Sequence, residues 1–259
     1  MFWFVVVAFA ATAVAFRNPI RTSIEHYFLF MGAGKKTPLP SDMEEIATGV
    51  YRVKARTTLV RGVVVFLHGN GTDAPGFYPF LSLMAQRGWQ VIAPEYPGYG
   101  VLSEQEVGVT ATREHLVRIW SRVMATVPDT MPRVLVGFSL GGGLAYSIAD
   151  RLDKRTPPTK LVLLNTFSGL GSFSGSSFMS QELAQWSIRQ LQTWRGPVRI
   201  IYSPKDELFS PEHVRDMELH CKKRGLPVIA YALRDLQAVQ QYHSNSPLVD
   251  TQWLDLLEV

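Results

Sequence analysis

The part of the sequence best suited to chemistry is residues 137–141, which read Gly-Phe-Ser-Leu-Gly. An apolar run predicts a strand just before them, and a helix is predicted to follow over 140–152. A serine on such a sharp strand-to-helix turn presents its hydroxyl outward, and glycines two residues before and after it let the backbones pass. The helix N-terminus behind it favours a developing negative charge. The pattern therefore predicts that Ser139 is a nucleophile for acyl transfer.

A nucleophilic serine needs a general base and an acid that orients the base, and in this kind of site they follow along the chain as serine, acid, histidine. His243 falls between the last predicted strand and the final predicted helix, which is the position that this order requires. Asp206 comes just past the strand predicted at 198–202. We therefore predict a triad of Ser139, Asp206 and His243.

Other histidines and carboxylates compete for these roles. His213 and His220 lie seven residues apart in one predicted helix, so we interpret them as surface or packing residues. The acids that remain as alternatives to Asp206 are Glu207, Asp216 and Asp235.

Two backbone N–H groups should stabilise the oxyanion that forms when the serine attacks. One is that of Leu140, which follows the nucleophile, and the other should come from the loop after the strand predicted at 63–67. Asn70 is the predicted second donor, and we interpret the neighbouring His68 as a residue that braces this loop.

The same loop also resembles a dinucleotide-binding fingerprint. Residues 69–74 match G-x-G-x-x-A after a strand, and Glu95 ends the next strand about 21 residues on. However, Pro75 and Gly76 interrupt the position where a helix should begin. A dinucleotide-binding protein therefore stays a minor alternative, and we expect no cofactor.

Strand-like and helix-like segments alternate from residue 50 onward, which indicates a doubly wound, mostly parallel α/β sheet. Strands are predicted at 50–53, 57–60, 63–67, 90–95, 134–137, 161–164, 198–202 and 228–233. Helices are predicted at 78–87, 110–127 and 140–152, and two more are predicted to open at Ser210-Pro211 and at Ser246-Pro247.

Composition narrows the class of protein. With 46% hydrophobic and 19% charged residues over 259 positions, the chain can bury a full core and is not disordered. The single cysteine, Cys221, cannot form an internal disulfide. Three of the four net positive charges lie in residues 1–36, so 37–259 carry only +1 and predict no nucleic-acid-binding face. No ligand spacing for a metal is visible.

The amino end carries an uncharged run over residues 1–16. We predict that this run is a hydrophobic membrane-anchoring helix and that residues 1–36 comprise the anchor and a connector. Basic residues follow the run, and basic flanks stay cytoplasmic, so residues 37–259 should form a cytosolic domain. A glycan on the Asn70 sequon would also obstruct the predicted oxyanion loop. A secretory signal peptide is the alternative, although the run lacks the expected basic start.

Several motifs together point to one family; they are residues 66–71, 95–100, 137–142, 165–167, 203–208 and His243. They resemble those of the α/β-hydrolase fold serine hydrolases, and most of all those of the membrane-anchored alpha/beta-hydrolase domain proteins. Relatives in that group include depalmitoylating thioesterases and monoacylglycerol-lipase-like enzymes. One departure is that this family often has a glycine shortly before the histidine, whereas here residues 240–242 read Gln-Gln-Tyr.

The resemblance implies a serine hydrolase that cleaves an acyl ester or thioester of a small molecule, lipid or acyl-protein through an acyl-enzyme. It also implies a short lid at about 168–197, in which we predict an amphipathic helix over 181–194. Its apolar residues could cover the sheet or line an acyl-chain wall. A catalytically inactive interaction module at a membrane is the alternative function, and the oligomeric state is left open.

Overall fold

The computed structural model describes residues 35–105, 107–170, 186–234 and 241–258. The helix predicted over 1–16, the first part of the lid and Asp235 lie outside these ranges. Within them, no helix combines the length and the apolar character that crossing a membrane requires.

An eight-stranded sheet in the order β1-β2-β4-β3-β5-β6-β7-β8 forms the centre of the described structure. The strands are β1 Met43–Ala47, β2 Val50–Val53, β3 Gly62–Leu67, β4 Trp89–Pro94, β5 Arg133–Phe138, β6 Lys160–Leu164, β7 Val198–Tyr202 and β8 Val228–Ala232. Strands β3 to β8 pair in parallel, whereas β2 pairs antiparallel with both β1 and β4. This is the sheet of an α/β-hydrolase fold, so the predicted doubly wound, mostly parallel fold class is confirmed.

Helices cover both faces of this sheet. The described α-helices are α1 Tyr78–Gln86, α2 Val109–Met124, α3 Leu140–Ala149, α4 Pro211–Lys223 and α5 Tyr242–Val249. Alternate residues of β3 enter different core clusters: Val63, Val65 and Leu67 join one, and Val64 and Phe66 the other. Such a strand must be apolar at every position, because side chains alternate between two buried faces.

Two predictions are wrong: the strand over 57–60 at the edge of the sheet, and the start of the final helix. Residues 57–60 form a loop, and the antiparallel extension is made by β1 and β2 instead. The final helix begins at Tyr242, so Pro247 lies inside it rather than at its start. A proline there leaves the carbonyl four residues earlier, that of His243, without its helical partner. The Asn165 Nδ2 donates to that carbonyl at 2.8 Å.

The helix predicted over 181–194 is absent from the described part of that segment, which holds only a 3-10 turn at Ile188–Gln190. The Asp150 carboxylate accepts the backbone N–H groups of Gln192, Thr193 and Trp194. Three successive amides bound to one carboxylate cannot also donate along a helix. In the part of this segment that the structure describes, residues 186–194, four apolar side chains are buried in the core and cover the sheet; they are Trp186, Ile188, Leu191 and Trp194.

Candidate active site

Ser139 occupies the sharp turn between β5 and α3. Its φ of 53° and ψ of −119° place it in a strained region, which costs on the order of 1–3 kcal/mol and persists only where the surroundings enforce it. The surroundings do so on both sides. The Ser139 N–H donates to the Leu164 carbonyl at 3.0 Å, and the Thr166 hydroxyl donates to the Ser139 carbonyl at 2.6 Å.

The glycines around Ser139 are required by close backbone approach. A Cβ on Gly137 would lie 2.2 Å from the Gly141 carbonyl oxygen. A Cβ on Gly141 would lie 2.0 Å from the Leu67 carbonyl oxygen. The turn is therefore pressed against the carboxyl end of β3, which is the neighbouring strand in the sheet.

His243 and Asp206 meet in the structure. The His243 Nδ1 lies 2.8 Å from the Asp206 Oδ2, and the two side chains are 9% and 3% exposed. The other oxygen, Oδ1, accepts the N–H groups of Leu208 and Phe209 at 2.8 and 2.9 Å. An ionised carboxylate only accepts hydrogen bonds, so the Nδ1 of His243 carries a proton. The neutral ring then has an unprotonated Nε2, the atom that a general base uses.

Aromatic contacts bring the His243 ring to the turn that bears Ser139. Its centroid lies 5.2 Å from that of Phe138, the residue before Ser139, and 5.2 Å from that of Phe209. The elements that carry His243 and Ser139 are thus packed together, although they are about a hundred residues apart in sequence.

Asn165 has a positioning role that sequence reasoning missed. It is one of three described non-glycine residues with positive φ, together with Ser139 and Gln241. Its Nδ2 donates to the Ser203 hydroxyl and to the His243 carbonyl, and its Oδ1 accepts the Ser203 N–H at 2.9 Å. The side chain therefore ties the ends of β6 and β7 to α5. An asparagine directly after a buried strand was the available signal, since asparagine tolerates left-handed backbone.

The predicted oxyanion donors lie on two segments in contact. Leu140 is the first residue of α3, and Asn70 lies on the loop after β3. A Cβ on Gly69 of this loop would meet the Phe138 ring at 2.9 Å. The Asn70 side chain holds the loop, since its Oδ1 accepts the Tyr99 hydroxyl at 2.7 Å and the Gly71 N–H at 2.8 Å.

His68 braces the base of this loop from inside the core. It is fully buried, its ring stacks on Tyr96 at 3.9 Å, and its Nε2 lies 2.9 Å from the Glu95 Oε1. The Glu95 carboxylate also accepts the N–H groups of Ala74 and Tyr96. A ribose therefore has no access to Glu95. Directly after the glycines comes a 3-10 turn, Ala74–Phe77, and the α-helix begins only at Tyr78. This geometry does not suit a dinucleotide.

A second serine also has a histidine and an aspartate beside it. The Ser168 hydroxyl lies 3.1 Å from the His213 Nδ1 and donates to the Asp216 carboxylate at 3.1 Å, at the edge of a cavity of about 480 Å³. Burial lowers the pKa of His213. Here the serine stands between the other two groups, whereas in a catalytic triad the histidine does. Ser168 also lacks the positive φ of Ser139. We interpret this cluster as packing.

The alternative acids make other contacts. Asp216 belongs to the Ser168 cluster, and the Glu207 carboxylate binds backbone amides. Across the described ranges, no group of three or more His, Cys, Asp or Glu side chains could hold a metal ion.

Comparisons with known proteins agree with this fold. A family model described as "Alpha/beta hydrolase family" matches residues 64–257. Lysophosphatidylserine lipase ABHD12 of Xenopus tropicalis is 31% identical over 113 residues, which cover 42% of this chain and 28% of that protein. Monoacylglycerol lipase of Mycolicibacterium smegmatis is 29% identical over 104 residues, covering 39% of this chain and 37% of that protein.

A similar solved structure is a thermophilic esterase from Thermogutta terrifontis with butyrate bound. Its TM-score is 0.57 at 17% identity, and the match covers 81% of this chain and 90% of the esterase. At that identity the likeness concerns the fold alone. The curated relatives match this chain over well under half of their own lengths.

Proposed function

We propose that this chain, which belongs to the alpha/beta hydrolase family, is a serine hydrolase that cleaves acyl esters or thioesters. Residues 37–259 would form the hydrolase domain. The observation that carries the proposal is the 2.8 Å bond between His243 and Asp206, held against the strained turn that bears Ser139.

In the proposed reaction, the Ser139 Oγ attacks the acyl carbonyl carbon while the His243 Nε2 takes the hydroxyl proton. Asp206 keeps the Nδ1 proton in place and stabilises the imidazolium that forms. The N–H groups of Leu140 and Asn70 hold the oxyanion of the tetrahedral intermediate. His243 then returns the proton to the leaving alcohol or thiol, and the carbon–oxygen or carbon–sulfur bond breaks. Water repeats the sequence on the acyl-enzyme and releases the acid.

The curated relatives favour a lipid-like acyl substrate, since two of them are a lysophosphatidylserine lipase and a monoacylglycerol lipase. We expect the purified protein to hydrolyse at least one of four substrate classes: p-nitrophenyl esters, monoacylglycerols, lysophospholipids and acyl-thioesters. The measurement is kcat/KM for each class over a series of acyl-chain lengths. An active enzyme should exceed about 10⁴ M⁻¹s⁻¹ on its preferred substrate. Failure to turn over any class would favour the inactive interaction module.

We also propose that the uncharged run at residues 1–16 anchors the enzyme to a membrane with the hydrolase domain in the cytosol. The full chain should sediment with membranes in high salt and be released by detergent, whereas a chain lacking residues 1–16 should stay in the supernatant. Recovery of the full chain in the supernatant without detergent would contradict the anchor.

A further inference from the structure

We propose that Glu207 is a positioning residue that holds the amino end of α5 and thereby sets the orientation of His243. The inference rests on the proposed function, in which His243 is the base. The two adjacent carboxylates then have different roles: Asp206 binds the imidazole ring of His243, and Glu207 binds the backbone of the same residue.

The contacts of Glu207 are those of a helix cap supplied from another element. Its Oε1 accepts the Tyr242 N–H at 2.6 Å, and its Oε2 accepts the His243 N–H at 2.9 Å. These are the first two amides of α5, and amides at the start of a helix have no partner within it. Gln241, in the N-cap position, makes no side-chain hydrogen bond to them. Glu207 therefore does what a local serine or aspartate would ordinarily do.

The backbone at this point needs such a restraint. Gln241 has φ of 55°, a left-handed conformation that costs a side-chain-bearing residue roughly 1–2 kcal/mol. Asn165 restrains His243 from the other side, since its Nδ2 donates to the His243 carbonyl. The peptide groups on both sides of the His243 Cα are thus hydrogen-bonded to side chains that follow β6 and β7.

The charge of Glu207 suits this role. Desolvation acts to raise its pKa, but backbone hydrogen bonds, among them those from the His243 and Tyr242 N–H groups, outweigh that effect, and the pKa lies below its ordinary value. Both oxygens are therefore acceptors near neutral pH. A glutamine could offer only one acceptor and would turn an NH₂ group toward the second N–H.

The test is Glu207→Gln in the full chain, with Glu212→Gln as the matched control. Glu212 lies on the exposed first turn of α4 and pairs with Arg215. We expect Glu207→Gln to lower kcat about tenfold with KM within twofold, because misorientation of the base affects the chemical step more than binding. Glu212→Gln should leave both constants unchanged. If kcat of the folded Glu207→Gln enzyme equals that of the wild type, the positioning role is wrong.

Hydrogen exchange gives a readout that does not depend on catalysis. Peptides that begin before residue 239 and include the start of α5 should exchange about five- to tenfold faster at Tyr242 and His243 in Glu207→Gln, as expected for loss of a cap. Peptides from α4 should be unchanged. Unchanged exchange at these two amides would contradict the positioning role of Glu207 even in an active enzyme. If the wild type is inactive but exchange is faster in the variant, the proposed function is wrong, whereas the hold of Glu207 on the amino end of α5 is confirmed.

Discussion

Replacing Ser139 with alanine is expected to abolish covalent labelling by a fluorophosphonate probe and to lower kcat by about 10⁶-fold on any ester that the wild type cleaves. The reason is that the variant removes the attacking oxygen while it leaves the turn in place. Gly137, Gly141 and the two backbone hydrogen bonds of residue 139 are unaffected by the change. The measurements are in-gel labelling and single-turnover hydrolysis.

The matched control is Ser168→Ala. Ser168 is buried and also lies within hydrogen-bond distance of a histidine and an aspartate, His213 and Asp216. We expect this variant to keep full labelling, because Ser168 is not on the strained turn and His213 does not stand between that serine and Asp216. Labelling that survives in Ser139→Ala, or that disappears in Ser168→Ala, would show that the nucleophile has been assigned to the wrong serine.

Gly141→Ala should have the largest effect on stability, with a loss of more than about 4 kcal/mol in the free energy of unfolding or failure to fold. The added Cβ would lie 2.0 Å from the Leu67 carbonyl oxygen and 2.6 Å from that of His68. These atoms belong to the end of a central strand, β3, and to the start of the loop that follows it, so neither can move without disturbing both. The measurement is the urea-unfolding midpoint and slope.

Gly108→Ser is the control for that substitution. Gly108 precedes α2, has extended backbone, and has no atom within 4 Å of an added Cβ. Serine is also a favoured residue at a helix start, so we expect a change within about 0.5 kcal/mol. Equal stability of Gly141→Ala and the wild type would mean that the turn is looser than the described backbone contacts require.

Local signals in the sequence account for the strand and helix order and for the sharp turn at Ser139. Seven of the eight described strands overlap predicted ones. Most of them are buried parallel strands, which carry continuous apolar runs bounded by turn residues, and β2 has a short alternating pattern. The exception, β1 Met43–Ala47, is an edge strand with three exposed residues, so it has no apolar run to signal it. Conversely, residues 57–60 alternate like a strand but have no partner strand in the described structure.

The start of α5 shows why other features could not be predicted. Ser246-Pro247 is a typical helix opening, yet the helix begins five residues earlier, at Tyr242 rather than Pro247. Its early start depends on Glu207 for the first amides and on Asn165 for the carbonyl that Pro247 leaves unpaired. Both residues are distant from α5 in sequence, so no local sequence pattern could have predicted these contacts.

The sequence by itself determined the class of fold and the place of the serine, since residues 137–141 impose a tight turn through steric demands that are local. Tertiary structure alone decided how the acids divide their work. Asp206 and Glu207 are adjacent carboxylates with the same chemistry, and only the approach of the loop after β7 to the start of α5 brings one to the His243 ring and the other to its backbone. The physical reason is that hydrogen bonding depends on distance and direction, which chain order does not specify.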